Sequence, residues 1–270
     1  MPATRTRGVG IRWDPMQLAF AVLGGLVLLF IVAPLAGLFF FGGEPANVVA
    51  AAGNAELRDS IWLTLWTSML ATALLALAAV PFAYLLARKD FWGKRLVMGL
   101  VDLPTVIPHS AAGIAVLTVI ARSSPLGQAA AGIGLDFVGH PAGIMVAMSF
   151  VSIPFLINAA RDGFAAVPER LEKAALTLGA SPLRVFLTIA VPLAWRAILS
   201  GFVLMWARGM SEFGAVVIVA YHPMTTPVLI WEWFGAYGLS YARPAAALFV
   251  LVCLVLFILL RLLARERDDA

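Results

Sequence analysis

Arg208 and Glu212 stand four residues apart in a stretch that is otherwise apolar, and Asp102 stands in a second such stretch. Charges inside long apolar runs cost roughly 3 kcal/mol each on insertion scales, so they neutralise one another or line a polar pathway. Spaced i, i+4, Arg208 and Glu212 share one helix face and can pair. Two readings follow. In the first, the pair is an internal ion bridge that pins its helix, with Asp102 as a further partner. In the second, the same face lines a passage in which Arg208 offers hydrogen-bond donors. Asp102 is followed by Pro104 and Pro108, which interrupt a helix ladder. Broken backbone at membrane depth survives only where protein or a cavity satisfies it. His109 and Ser110 come next, and Thr105, Ser211, Thr225 and Thr226 supply further hydroxyls.

Catalytic chemistry finds less support. A nucleophile turn G-x-S-x-G is absent, because Gly209-Met210-Ser211-Glu212-Phe213-Gly214 has one residue too many. No histidine lies in a later apolar run, which argues against an intramembrane protease. A phosphate-cradling G-x-x-x-x-G-K followed by Ser or Thr is missing too; the nearest stretch, FWGKRL, lacks the glycine spacing and the hydroxyl. His109, His140 and His222 are far apart, and Cys253 is the single cysteine, so neither a His cluster nor a Cys-based metal site or disulfide is expected. Cys253 reads as a small packing residue.

The elements that must hold these residues are apolar helices. Hydrophobic residues make up 62% of the 270, and mean hydropathy is +0.95, well above soluble usage. Six runs, near 17–41, 60–87, 97–121, 141–160, 194–220 and 244–263, reach the ~20 residues that cross a ~30 Å hydrocarbon core. The expected fold is therefore an all-α, multi-pass membrane protein with six transmembrane helices. Residues 1–16 and 264–270 read as tails, and 17–263 as the membrane domain. The first run exceeds the apolar core of a signal peptide and reads as a retained span.

Charge sets the expected orientation. With the N-terminus inside, fifteen Lys and Arg fall on inner segments and span ends, against Arg58, Arg122 and Arg243 outside. The positive-inside rule then makes both termini cytoplasmic. The net charge of +4 is thus a matter of topology, and no nucleic-acid partner is expected. The first outer segment, FGGEPANVVAAAGNAELRDS, reads as a soluble loop; the second, RSSPLGQAAAGIGLDFVGH, as small-residue-rich and partly buried. The third, YHPMTTPVLIWEWFGAYGLSYAR, is too apolar for a free loop, and a short helix or scoop is expected there.

One inner segment is unusual for so apolar a chain. PERLEKAALTLGASPLRVF holds five charged side chains between spans four and five. Pro168 suits the first helical position, Glu169 and Glu172 favour a helix start, and Leu171, Ala174, Ala175 and Leu178 form one narrow apolar stripe. Gly179 reads as a left-handed terminator and Ser181-Pro182 as the cap of a second helix leading into span five. A stripe half made of Ala is too small to hold a helix on a bilayer and suits a protein groove.

Lys173-Ala174-Ala175, three residues, Gly179, nine residues, Ile189, Ala190 and Val191-Pro192 resemble the EAA signature of ATP-binding-cassette importer permeases. Lys173 stands at the usual glutamate position, with Glu172 just before it, and Val191 replaces Leu. VDLPTVIPHSAAGIAVL and RGMSEFGAVVIVAYHPMTTPVLI are similar to the molybdate/tungstate permeases, relatives of the sulfate/thiosulfate permeases.

The resemblance implies a type I, MetI-like permease fold in the inner or plasma membrane. It implies that residues 168–180 form a coupling helix docked into a separate cytoplasmic ATPase through Glu172, Lys173, Ala174, Ala175 and Gly179. ATP and Mg would be bound by that ATPase, and no cofactor by this chain. Further implied partners are an extracytoplasmic oxyanion-binding protein and a second copy of the chain. Spans three and five would form the gate, with Pro104, Pro108, His109, Ser211, Glu212, Phe213 and Gly214 carried over; Asp102, Ser110, Arg208, Thr225 and Thr226 join them as pathway candidates by their own polarity, Arg208 offering donors to a tetrahedral dianion. Molybdate or tungstate is the expected cargo; sulfate or thiosulfate is the alternative. A secondary transporter is the rival class, but no internal repeat is evident and such a carrier needs no docking helix.

Overall fold

The protein is described by a computed structural model covering residues 14–40 and 45–265. The two tails expected at 1–16 and 264–270 lie almost wholly outside these residues. Among the described residues every regular element is helical. Among the described residues five helices are long and apolar enough to cross a membrane, or six if the bent pair Lys94–Val106 and His109–Ile120 counts as one span.

The long apolar helices are α1 (Pro15–Phe40), α3 (Ala55–Arg88), α7 (Pro141–Ala166), α10 (Val191–Met210) and α13 (Leu239–Arg265). Between α1 and α3 lies α2 (Pro45–Gly53), so the first outer segment, expected as loop, is largely helical. Asn54 explains the boundary: its side chain accepts from the Leu57 N–H and caps α3. The third run is no straight span. It splits into α4 (Lys94–Val106) and α5 (His109–Ile120), which meet at 114° across Ile107-Pro108. Pro108 has no N–H to continue a ladder and disfavours helix at the residue before it. The fifth run also differs from the expected 194–220. Its apolar helix starts at Pro182 and stops at Met210, and a separate short α11 (Gly214–Val219) follows.

The remaining elements are short. They are α6 (Pro125–Gly132), capped by Ser124, α8 (Glu169–Thr177), α9 (Pro182–Val185) with a π-helical turn at Phe186–Ala190, and α12 (Thr226–Tyr237). At 12 residues, α12 is about 18 Å long and cannot cross a bilayer. It is the short helix expected in the third outer segment.

α7 is the central post, more than half buried, whereas α1 has no buried residue and touches α13. Because lipid is as apolar as leucine, helices associate here through close packing of small residues. At Gly163 a Cβ would stand 2.4 Å from the Ala197 Cβ, and at Gly201 it would stand 2.7 Å from the Ala159 Cβ. These glycines let α7 and α10 touch almost backbone to backbone.

Two cores are stacked along α7. One joins Ala83, Leu86, Leu156, Phe164, Ala194 and Met205, with Met98 and Val101 of α4 packed against it. The other joins Ala112, Val116, Met148, Val151, Ala215 and Val216. α4 and α10 thus belong to one core, α5 and α11 to the other. The first core ends at the Arg- and Lys-rich end of the bundle, where α8 and the C-terminus of α3 meet.

A buried row of hydroxyls runs down α3. Thr64, Ser68 and Thr72 each donate to the carbonyl four residues earlier, at 2.7, 2.6 and 2.8 Å, so the row is satisfied by its own helix. Trp206 of α10 donates its indole N–H to Ser68 Oγ at 3.0 Å.

Candidate transport pathway and docking helix

The two helix breaks face each other. At the α10 C-terminus, Glu212 Oε2 lies 2.9 Å from Arg208 Nη2 and 2.8 Å from His109 Nδ1, the first residue of α5. Arg208 Nη2 also lies 2.9 Å from the His109 ring nitrogens. A neutral imidazole satisfies this set: its Nδ1–H donates to Glu212, and Nε2 accepts from Arg208. The second carboxylate oxygen of Glu212 accepts the Ala215 N–H at 2.9 Å and so closes the start of α11. Glu212 is fully buried, while the side chains of Arg208 and His109 keep 22% and 42% of their exposure. The cluster is neutral overall, with its cation and imidazole facing the open side.

Asp102 does not join it. Its Oδ1 accepts from Asn158 Nδ2 of α7 at 2.6 Å, and its carbonyl accepts from Thr105 Oγ1 at 2.7 Å. The ion bridge foreseen between Arg208 and Glu212 is present, but its third member is His109. The glycine of SEFG has a steric reason. A Cβ at Gly214 would stand 2.7 Å from the His109 Cβ, and one at Gly113 would stand 2.9 Å from the Ala215 Cα. Close approach of α5 and α11 brings His109 within reach of Glu212.

The other candidates fall in four places. Pro104 is buried in α4, whereas Pro108 caps α5 and is exposed together with Ser110 and Ser211. Phe213 packs on Trp231 at 5.7 Å and, with Pro227, Ile230 and Phe234, lines an open hollow of about 250 Å³. Thr225 and Thr226 are wholly buried, so neither is exposed to a passage in this conformation. The Thr226 N–H donates to Thr64 Oγ1 at 2.8 Å, which fixes α12 to α3; Thr225 Oγ1 has no partner among the described residues. At the end of the bundle away from α8, Glu56, Asp59, Trp62, Trp66 and His222 line a larger hollow of about 630 Å³. Its carboxylates would repel an anion. Among the described residues no group of three His, Cys, Asp or Glu could hold a metal.

The charged segment forms α8, a sharp turn and α9. Pro168 is the cap, one position before the helix, and Glu169 opens it. Gly179 has φ +89°, a left-handed conformation that side chains rarely adopt, and Ser181 Oγ caps the Arg184 N–H at 3.4 Å. Arg170, Leu171, Lys173, Ala174, Leu176 and Leu178 are exposed; Leu178 keeps 89% of its surface. Lys173 pairs with Glu169 at 2.7 Å on that open face, and it holds the Glu169 carboxyl below the usual carboxylate range.

Glu172 points the other way. It is the buried residue of α8, set against Tyr84 and Arg88 of α3. Those two partners, like Asn158, were not visible as site residues in the sequence. Nothing in linear spacing links position 88 to position 172.

Comparison with known proteins supplies the family. The family model described as the binding-protein-dependent transport system inner membrane component matches residues 79–268. The chain belongs to this family. The permease is 43% identical to the molybdate/tungstate transport system permease protein WtpB of Thermococcus kodakarensis, over 96% of this chain and all of the relative. A probable sulfate transport system permease protein cysT of Chlorokybus atmophyticus is 31% identical, over 82% of this chain and 84% of the relative. The fold matches that of a bacterial ABC transporter involved in alginate import, with a TM-score of 0.71 at 18% identity, covering 92% of this chain and 95% of the other. The permease is thus a multi-pass transport component and not an enzyme.

Proposed function

We propose that this permease is the inner-membrane subunit of an ATP-driven importer whose cargo is a tetrahedral oxyanion, molybdate or tungstate. The observation that carries the reading is similarity to a molybdate/tungstate permease along the whole chain, closer than to the sulfate permease. In this reading the Arg- and Lys-rich end, with both termini, faces the cytoplasm, and α8 docks into a separate ATPase that binds ATP and Mg. The exposed Leu171, Ala174 and Leu178, with Lys173 beside them and Gly179 at the turn, form the docking face. An extracytoplasmic binding protein delivers the cargo. One docking helix per chain against a pair of ATPases calls for two copies related by a two-fold axis.

ATP binding draws the two docking helices together and opens the pathway outward; hydrolysis resets it. The passage runs past the two helix breaks, where Ser110, Ser211 and Arg208 present donors. A neutral cluster suits transit, because a strongly cationic site would hold a dianion. The test is the ATPase rate of the reconstituted complex with its binding protein, titrated with molybdate, tungstate and sulfate. Stimulation by the first two is expected. Stimulation by sulfate alone would overturn the cargo.

A further inference from the structure

We propose that Arg88, Tyr84 and Glu172 form the mechanical junction through which the docking helix drives α3, and that Glu172 is a positioning residue and not a contact to the ATPase. The proposal rests on the docking assignment above. By chain continuity α8 is tied to α7 through Val167-Pro168 and to α10 through α9 and the π-helical turn, but not directly to α3. The side chains add that link. Glu172 Oε1 accepts from Arg88 Nε at 3.0 Å and from Nη2 at 2.6 Å, and Oε2 accepts from the Tyr84 hydroxyl at 2.7 Å. Arg88 Nη2 also donates to the Val167 carbonyl at 3.0 Å, where α7 ends. One guanidinium therefore binds the ends of α3 and α7 to α8.

Burial makes the link stiff. The Arg88 and Glu172 side chains keep only 9% and 8% of their exposure, on a helix whose neighbouring residues are mostly open. Separating a buried pair strands a charge, which costs far more than separating an exposed one. Tyr84 is itself wedged between Phe164 and Phe186, with ring centroids 5.2 and 5.0 Å away. Phe186 is the first residue of the π-helical turn, a geometry frequent at functional sites. A displacement of α8 is thus passed to α3 by the ion pair and to α10 by the turn, with Tyr84 touching both routes. Glu172 has no face left for a partner protein.

The test uses the complete complex in liposomes and a cargo-independent readout. A spin label at the exposed Lys89, in a Cys253→Ser background, reports the distance between the α3 ends of the two copies. ATP is expected to shift this distance in the parent. Glu172→Gln should abolish the shift and lower oxyanion imported per ATP about tenfold, the loss of one charge-assisted bond's worth of coupling. Tyr84→Phe, which keeps the packed ring, should lower that ratio about threefold with the complex still assembled. Arg88→Met with Glu172→Leu replaces the pair by apolar packing and should recover most of the shift. An ATP-driven shift that persists in both single variants would overturn the proposal, as would its absence in the parent. So would loss of ATPase binding in Glu172→Gln that persists in the Arg88→Met, Glu172→Leu double variant. Failure of import with an intact shift would instead count against the cargo.

Discussion

Removing the Glu212 carboxylate should be among the most damaging single changes in the membrane domain. Glu212→Ala deletes three interactions at once: Arg208 at 2.9 Å, His109 at 2.8 Å and the Ala215 N–H at 2.9 Å. Breaking a buried pair from one side costs about 3–5 kcal/mol, because the partner charge is left behind. Arg208 and His109 are partly exposed and can recover water, which places the expected loss near the lower end, ~3 kcal/mol. The double variant Arg208→Met with Glu212→Leu removes both charges at similar volume. Its expected cost is ~1 kcal/mol, chiefly the unsatisfied Ala215 N–H. Denaturant unfolding of the purified permease in micelles measures both. Equal losses in the single and double variants would refute the account of a self-neutralising cluster, and a loss under ~1 kcal/mol in Glu212→Ala would refute its burial. Uptake by the double variant then separates the two readings of the pair. A stable but inactive permease assigns the pair to the passage, and full uptake assigns it to the scaffold.

Gly179→Val forces a β-branched residue to φ +89°, at a cost of about 1–3 kcal/mol, and should uncouple ATP hydrolysis from uptake while thermal stability of the spans is kept. Normal uptake would remove this turn from the docking face. Gly201→Leu cannot fit beside Ala159 and should lower unfolding stability by at least ~1–3 kcal/mol, measured by thermal melting; an unchanged melt would contradict the α7–α10 contact. Gly214→Ala should push His109 away from Glu212 and slow uptake several-fold, whereas Ser211→Ala, at an exposed site, should leave stability within about 0.5 kcal/mol.

What the sequence discloses and what it conceals follow one physical division. Apolar runs reveal spans because length and hydropathy are local quantities, and the cap at Ser181 is local chemistry as well. The α8–α9 turn was legible for the same reason: Gly179 and Ser181-Pro182 act within a few residues of themselves. Breaks inside spans were harder. Pro104 sits within α4, yet the bend falls at Pro108, because the fold tolerates one proline and turns at the other. Pairing across helices was least legible. Asp102 looked like a partner for Arg208 from its charge, but a chain bent by 114° brings His109 to that place and leaves Asp102 beside Asn158. Glu172 is the same case at the other end, turned inward to Tyr84 and Arg88 while its neighbour Lys173 faces outward.

The positions of the breaks relative to the cores give the arrangement its mechanical sense. The α4–α5 and α10–α11 breaks both fall where the core at the α8 end gives way to the core of α5 and α11. Of the helices that build these two cores, α3 and α7 run through that boundary without interruption, and Pro154 lies within α7 between Val151 of one core and Leu156 of the other. The His109–Arg208–Glu212 cluster bridges the same boundary, with Arg208 on α10, His109 on α5 and Glu212 in the link to α11. Relative motion of the cores that separated Arg208 from Glu212 would strand a buried carboxylate at a cost of several kcal/mol. Motions that keep the cluster together avoid that cost, and they leave α5 and α11, locked by Gly113 and Gly214, to swing as one piece.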